Sequence, residues 1–230
     1  MAQHKVWEEE YRNPQFMSCD LEPQKFMTRF YKFLKKADYN VSGKKVLDLG
    51  CGTGRNANYF ARLGATVEAI DIAESALKIG RHQARRENMA VNYTVANIGA
   101  KLNFPKQSFD IVIDATASNS LNEIEREIYL AEVARVLKSD GYFFVRALCL
   151  DGDQNAKKLL KLFPGKEKDT YVMPGVNLVE RVFSEKDFRE TYGEYFEIIN
   201  LEKENGYTSF GGQSYKRNFW VAYFKLRIKN

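Results

Sequence analysis

The sequence predicts an α/β fold, a three-layer sandwich built on a mostly parallel seven-stranded sheet with an antiparallel last strand, and three observations carry that expectation. Short apolar runs alternate with stretches of helical period between residues 44 and 148, the order that feeds parallel strands through crossover helices. Three glycines at alternate positions, GCGTG, stand where the first strand meets the first helix of that series. After residue 195 two strand-like runs follow one another with no crossover helix between them, so they must pair antiparallel. At 230 residues the chain has room for one core with appendages. We divide it into an N-terminal helical or lid segment, 1–40, and a single main domain, 41–230, with an insertion at about 151–179.

Taken in order, Phe26, Phe30, Phe33 and Leu34 fall at i, i+4, i+7 and i+8, the face of an amphipathic helix that packs on the main domain. Residues 44–49 (KKVLDL) form the first strand, and 55–63 the helix that Gly64 ends. Residues 66–70 are the second strand, 74–87 the next helix and 91–96 the third strand. FDIVIDA at 109–115 is the fourth strand, 121–137 a long helix closed by Ser139-Asp140-Gly141, and 142–148 the fifth strand. The insertion, with Pro164, Gly165, Pro174 and Gly175 among lysines, reads as irregular or locally helical, and insertions of that kind often cover active sites. Ser184 is the N-cap of a helix running through Tyr192. Residues 195–201 and 218–226 complete the sheet across a polar loop at 206–216.

Composition narrows the classes. Hydrophobic residues at 44%, with 16 Phe and 13 Tyr, supply a sizeable interior. No apolar run approaches the roughly 20 residues that span a bilayer, and the first residues lack the apolar stretch of a secretory signal, so a cytoplasmic location without membrane attachment is expected. Cys19, Cys51 and Cys149 are odd in number and widely spaced, which points to neither a disulfide framework nor a zinc site, and no metal is expected. A net charge of +5 is modest and distributed along helix faces, so nucleic acid is not the favoured partner.

The chemistry gathers at Asp48-Leu49-Gly50-Cys51-Gly52-Thr53-Gly54, where glycine lets the backbone turn sharply and approach a ligand. A GxGxG alone is weak, its plain alternative being a flexible turn. Asp71, however, ends the next strand, where a carboxylate can accept hydrogen bonds from both hydroxyls of a ribose. A nicotinamide cofactor is disfavoured because the dinucleotide fingerprint requires a small residue where Arg55 stands.

These residues resemble the class I, Rossmann-like S-adenosylmethionine-dependent methyltransferases of the small-molecule type, whose first motif E/D-x-G-x-G-x-G is matched by Asp48, Gly50, Gly52 and Gly54. The resemblance implies S-adenosylmethionine as cofactor and S-adenosylhomocysteine as product. It places Asp48, Gly50, Cys51, Gly52 and Gly54 around the cofactor, Asp71 and Ile72 at the ribose, and Asn97-Ile98 at the adenine, with Asn where Asp is more usual. Pro105-Lys106-Gln107-Ser108-Phe109-Asp110 reproduces the family's P-x-x-S-F-D phrase, and ARVLKSDGYFFV is similar to its LKPGG phrase without the proline. The resemblance spans 46–148 and, through YKRNFWVAYFKL, 215–226; it is silent on 1–40 and 151–179.

For such chemistry the acceptor attacks the sulfonium-bound methyl in line, positioning and desolvation supply most of the acceleration, and a base is needed only when the acceptor must lose a proton first. Asp114, on the lip formed by 114–119, is the carboxylate nearest that role, as a cofactor contact or a weak candidate base; the alternative is a helix N-terminal partner. Asn119 on the same lip faces the acceptor. Tyr11 and Arg12, with Trp7 and Phe16, are expected as a lid with Arg12 at the cofactor's carboxylate, unless these aromatics simply pack on the core. Neither His4 nor His82 is placed to act as base, and Cys51 is read as a small filler. Lys157, Lys158, Lys161, Lys166 and Lys168 could gather an anionic substrate but are read first as solvated. The chain lacks the N/D-P-P-Y/F phrase and the Pro-Cys nucleophile of nucleobase enzymes, so a small molecule with a nitrogen or oxygen nucleophile is the expected acceptor. The alternatives are RNA or protein methylation using Lys216, Arg217, Lys225, Arg227 and Lys229, or a non-catalytic cofactor-binding protein; monomer and homodimer are both open.

Overall fold

The computed structural model describes residues 3–14, 21–210 and 213–227. Two helices open the chain, α1 (His4–Arg12) and α2 (Lys25–Lys36), followed by β1 (Lys45–Leu49), α3 (Arg55–Arg62), β2 (Thr66–Asp71), α4 (Glu74–Arg86) and β3 (Val91–Val95). The second half continues with β4 (Phe109–Ala115), α5 (Glu123–Val136), β5 (Leu137–Leu148), α6 (Gln154–Leu162), β6 (Thr170–Met173) and β7 (Leu178–Arg181). It ends with α7 (Glu185–Gly193), β8 (Phe196–Phe210) and β9 (Gln213–Leu226).

Seven strands form one sheet in the order β3-β2-β1-β4-β5-β9-β8. The pairs β1 with β2, β1 with β4, β2 with β3 and β4 with β5 are parallel, and β9 pairs antiparallel with both β5 and β8. Strand β9 therefore runs against its six companions, as the sequence predicts. The central strands read as continuous apolar runs because both their faces are covered. Phe143 and Phe144, adjacent in β5, show this: Phe143 packs with Val133, Phe188 and Phe224 on one face, and Phe144 with Phe30, Phe60 and Tyr223 on the other. The helix face expected at 26–34 is α2, with Phe26, Phe30 and Leu34 buried and Phe33 half-buried against the same cluster. Asn122 closes a capping box on α5, and Ser184 Oγ accepts from the Asp187 N–H at the start of α7.

Two expectations need correction. Within the polar stretch 206–216, residues 206–210 and 213–216 are strand and not loop, because β8 and β9 stay in register from Phe196↔Leu226 out to Phe210↔Gln213. Its polar sequence follows from extending beyond the covering layers, where the strands no longer need two apolar faces. The insertion at 151–179 is locally helical at α6, as one of the two readings had it, and the rest is not irregular but holds most of the β6–β7 hairpin. A small separate core of Leu148, Ala156, Tyr171, Leu178, Val182 and Phe219 fixes it, with Val6 and Trp7 of α1 packed alongside. No helix among the described residues is long and apolar enough to cross a membrane.

One fully buried group ties the insertion to the sheet. Asp153 Oδ1 accepts from the Ala156 N–H at 2.8 Å, capping α6, while Oδ2 accepts from Arg217 Nε at 3.1 Å and the Asn218 N–H at 2.8 Å on β9. Removing the carboxylate leaves a buried guanidinium without its ion partner, which typically costs about 3 to 5 kcal/mol. Asp153→Ala is therefore expected to lose stability of that order in urea unfolding followed by fluorescence; a loss under about 1 kcal/mol would show that the pair does not hold the insertion.

Candidate functional site

The connections from β1 and β4 leave the sheet on opposite sides, so a crevice opens beyond the carboxyl ends of these two strands. A cavity of about 570 Å³ lies there. On the β2 and β3 side its wall is made by Gly50, Asp71, Ile72, Asn97 and Ile98. Ala115, Thr116, Ala117 and Asn119 follow from β4, and Arg146, Leu148, Arg217 and Phe219 come from β5 and β9. Trp7 and Tyr11 of α1, Met173 and Glu180 of the insertion, and Tyr207 of β8 complete it.

The glycine loop works by close approach. Gly50 has φ +63° and lies against Ala117, which a side chain at position 50 would strike. Gly52 has φ +55°, and a Cβ there would sit 2.5 Å from the Tyr11 hydroxyl, so α1 lies directly on the loop. Gly54, the N-cap of α3, faces Tyr93 instead. Asp71 holds the loop from below: its Oδ2 accepts from the Gly52 N–H at 2.8 Å and its Oδ1 from the Ala73 N–H at 2.9 Å.

Three buried aspartates, Asp48, Asp71 and Asp114, end β1, β2 and β4, and burial raises the carboxyl of each above its ordinary value. Asp48 is pushed up to about 7, first by burial and then by the charges of Asp71 and Asp114. It has a backbone partner at Ala57, while its Oδ2 is buried without a hydrogen-bond partner.

Several sequence-predicted residues occupy other places than expected. Asp114 is fully buried and off the cavity wall: Oδ1 accepts from the Ala117 N–H at 2.8 Å, Oδ2 from Tyr129 Oη at 2.6 Å, and both from the Ser118 N–H at 3.3 Å. With its oxygens filled by these donors Asp114 organises the lip, as the helix N-terminal alternative has it, and it does not line the cavity. Arg12 is also outside the wall. Its Nη2 pairs with Glu8 at 2.9 Å and its Nε donates to Ser75 Oγ at 3.3 Å, so it fastens α1 to α4. Asp48, Cys51, Gly52 and Gly54 shape the loop without lining the cavity. Asn119 does line it, yet its side chain spans Thr116 O and the Leu148 N–H. Phe16, Cys19 and Lys229 lie outside the described residues. In the basic tail, Arg217 is buried on Asp153 and Tyr171, and Lys225 sits 3.5 Å from the centre of the Tyr142 ring.

Arg55, Arg146, Glu180 and Phe219 were not singled out from sequence as wall residues. For Arg146 a signal existed, since YFFVRAL places one cation inside an apolar central strand. Glu180 and Phe219 gave none, because the insertion and the hairpin reach the site only through packing.

A family model described as a methyltransferase domain matches residues 46–141. A fatty-acid O-methyltransferase of Mycolicibacterium smegmatis is 37% identical over 109 residues, covering 46% of this chain and 38% of that protein. An uncharacterized methyltransferase of Schizosaccharomyces pombe is 36% identical over 104 residues, 45% of this chain and 71% of that protein. The match thus spans less than half the length of the first relative and over two thirds of the second. Among solved structures, 1,6-didemethyltoxoflavin-N1-methyltransferase of Burkholderia thailandensis, with 1,6-didemethyltoxoflavin and S-adenosylhomocysteine bound, superposes with a TM-score of 0.73 at 18% identity. The superposition covers 98% of this chain and 87% of that one, a likeness of fold.

The raised carboxyl of Asp48 has a consequence for stability. Its unfolded value is about 3.9 and its folded value about 7, so in between the folded state binds more protons than the unfolded one and stability falls as pH rises. The melting temperature of the wild type relative to Asp48→Asn is expected to drop between about pH 4 and about pH 7. A difference that stays flat across that range in thermal melts would show that Asp48 ionises normally in the fold.

Proposed function

The chain belongs to the class I S-adenosylmethionine-dependent methyltransferases, and on that footing we propose that it transfers a methyl group from S-adenosylmethionine to a small-molecule acceptor through a nitrogen or oxygen nucleophile. The observation that carries this reading is the cavity at the sheet's reversal point, with Gly50, Asp71, Ile72, Asn97 and Ile98 in its wall. The residues present fit the cofactor. In this reading Asp71 would take the ribose hydroxyls, Asn97 and Ile98 the adenine, and the open backbone at Gly50 would allow close approach, which their shared place in the cavity wall supports. Asp71 at the end of β2 gives this side of the wall a carboxylate, which suits a ligand that carries hydroxyl donors and cationic centres.

When bound, S-adenosylmethionine supplies a methyl carbon made electrophilic by its sulfonium. The chain's part is to exclude water and align the acceptor. Trp7 and Tyr11 from α1 and Met173 from the insertion cover the cavity with apolar surface. With Asp114 committed to the lip, this reading assigns no base; an acceptor that arrives as an anion or a neutral amine requires none. The size of the enclosure favours a small acceptor, and the relatives named for their substrates act on a fatty acid and on 1,6-didemethyltoxoflavin. Burial of Arg217 takes away the centre of the basic surface on which RNA binding would have rested.

Calorimetric titration with S-adenosylmethionine, S-adenosylhomocysteine and NADH tests the reading. Micromolar binding of both sulfur compounds and none of NADH is expected. Asp71→Ala should weaken binding at least about tenfold through loss of a charge-assisted contact. Binding of NADH alone would overturn the proposal.

A further inference from the structure

Arg146 is a cation in the middle of buried apolar β5, and its place in the fold is not explained by any partner of its own. Its Nε is buried without a hydrogen-bond partner, and among the described residues it takes part in no ion pair. The other deeply placed arginines differ. Arg217 holds Asp153, Arg181 holds Asp187 at 2.8 Å, and Arg126 donates to the carbonyls of Ser118 and Leu121. The acid whose charge Arg146 feels most, Glu204, is paired with Arg29.

What surrounds Arg146 is aromatic. Its guanidinium carbon lies 3.3 Å from the centre of the Phe219 ring and 4.8 Å from that of Phe26. These rings fix the group's position without neutralising it. Burial lowers it to about 9, so it remains charged at neutral pH. Arg55 lines the same cavity, and its charge also bears on Arg146.

Resting on the methyltransferase reading, we propose that Arg146 is an anion-binding subsite for the acceptor and that the acceptor is a small molecule carrying a carboxylate. A carboxylate matches the planar fork of a guanidinium with two parallel hydrogen bonds. A buried monoanion is also less costly to desolvate than a dianionic phosphate in a wall shared with Leu148, Met173 and Phe219. The position assigns the subsite to the acceptor: Arg146 pairs with Val221 across β5 and β9, beyond β4 from the strands that carry Asp71 and precede Asn97. The cofactor has a carboxylate too, and the experiment separates the two sources.

Wild type, Arg146→Met and Arg146→Lys are titrated with S-adenosylhomocysteine, and then, with and without it, with benzoate and hexanoate against benzamide and hexanamide. The acids are expected to bind the wild type at least about tenfold tighter than the amides, with the preference lost in Arg146→Met and partly kept in Arg146→Lys. Affinity for S-adenosylhomocysteine should stay within about twofold in all three. Equal binding of acids and amides to the wild type, or a preference that survives in Arg146→Met, overturns the proposal. A tenfold loss of S-adenosylhomocysteine affinity in Arg146→Met also overturns it, assigning Arg146 to the cofactor's carboxylate. Absence of S-adenosylhomocysteine binding in the wild type counts against the methyltransferase reading, while the titrations without it still decide the anion preference.

Discussion

The reversal of strand order between β1 and β4 is the constraint from which the site follows. Parallel neighbours whose crossovers depart to opposite sides leave a gap at their carboxyl ends that no connection covers. The loops bordering that gap must be held without a regular backbone ladder, and the aspartates at the ends of β2 and β4 do it. Asp71 takes the N–H groups of Gly52 and Ala73, and Asp114 those of Ala117 and Ser118. Backbone donors offset part of the desolvation of these carboxylates, yet burial still raises each of them. Asp48 between them keeps an oxygen without a donor. The acidic edge is thus stabilised by the loops it shapes, with one oxygen left over.

Toward β5 the wall carries Arg146, with Phe219 lying against it. Asp153 determines that geometry at a distance, because it caps α6 and pairs with Arg217 on β9 at once. Tyr11, resting on Gly52, couples α1 to the glycine loop in the same manner. Asp71 thus stands on the β2 side of the cavity and Arg146 on the β5 side.

How much of this was legible depended on whether a residue's role is local. The strands of the first half are readable because apolar runs and glycine breaks are local signals; FDIVIDA begins and ends where β4 does. Asp71 was readable because a strand-end carboxylate after a glycine loop has few other uses. Asp114 stayed open between a cofactor contact and a helix N-terminal partner because its donors, Tyr129 and the lip's own N–H groups, are brought to it by α5 and a turn that the sequence does not announce. Arg12 was misjudged because Glu8, one turn earlier, satisfies it first. The stretch 206–216 looked like a loop because polar residues in a strand that leaves the core carry no alternation to read.

By itself, then, the sequence determined the sheet's parallel half, the glycine loop and the carboxylate at the end of β2, which follow from periodicity and from residues a few positions apart, and through its motifs the family. Tertiary structure alone decided which of the acidic and basic residues face the cavity. That choice depends on contacts such as Arg217 with Asp153, 64 positions away, and Arg146 with Phe219 and Phe26. A side chain's charge is written in the chain, but whether that charge is spent on a neighbour or left for a ligand is settled only when the elements pack.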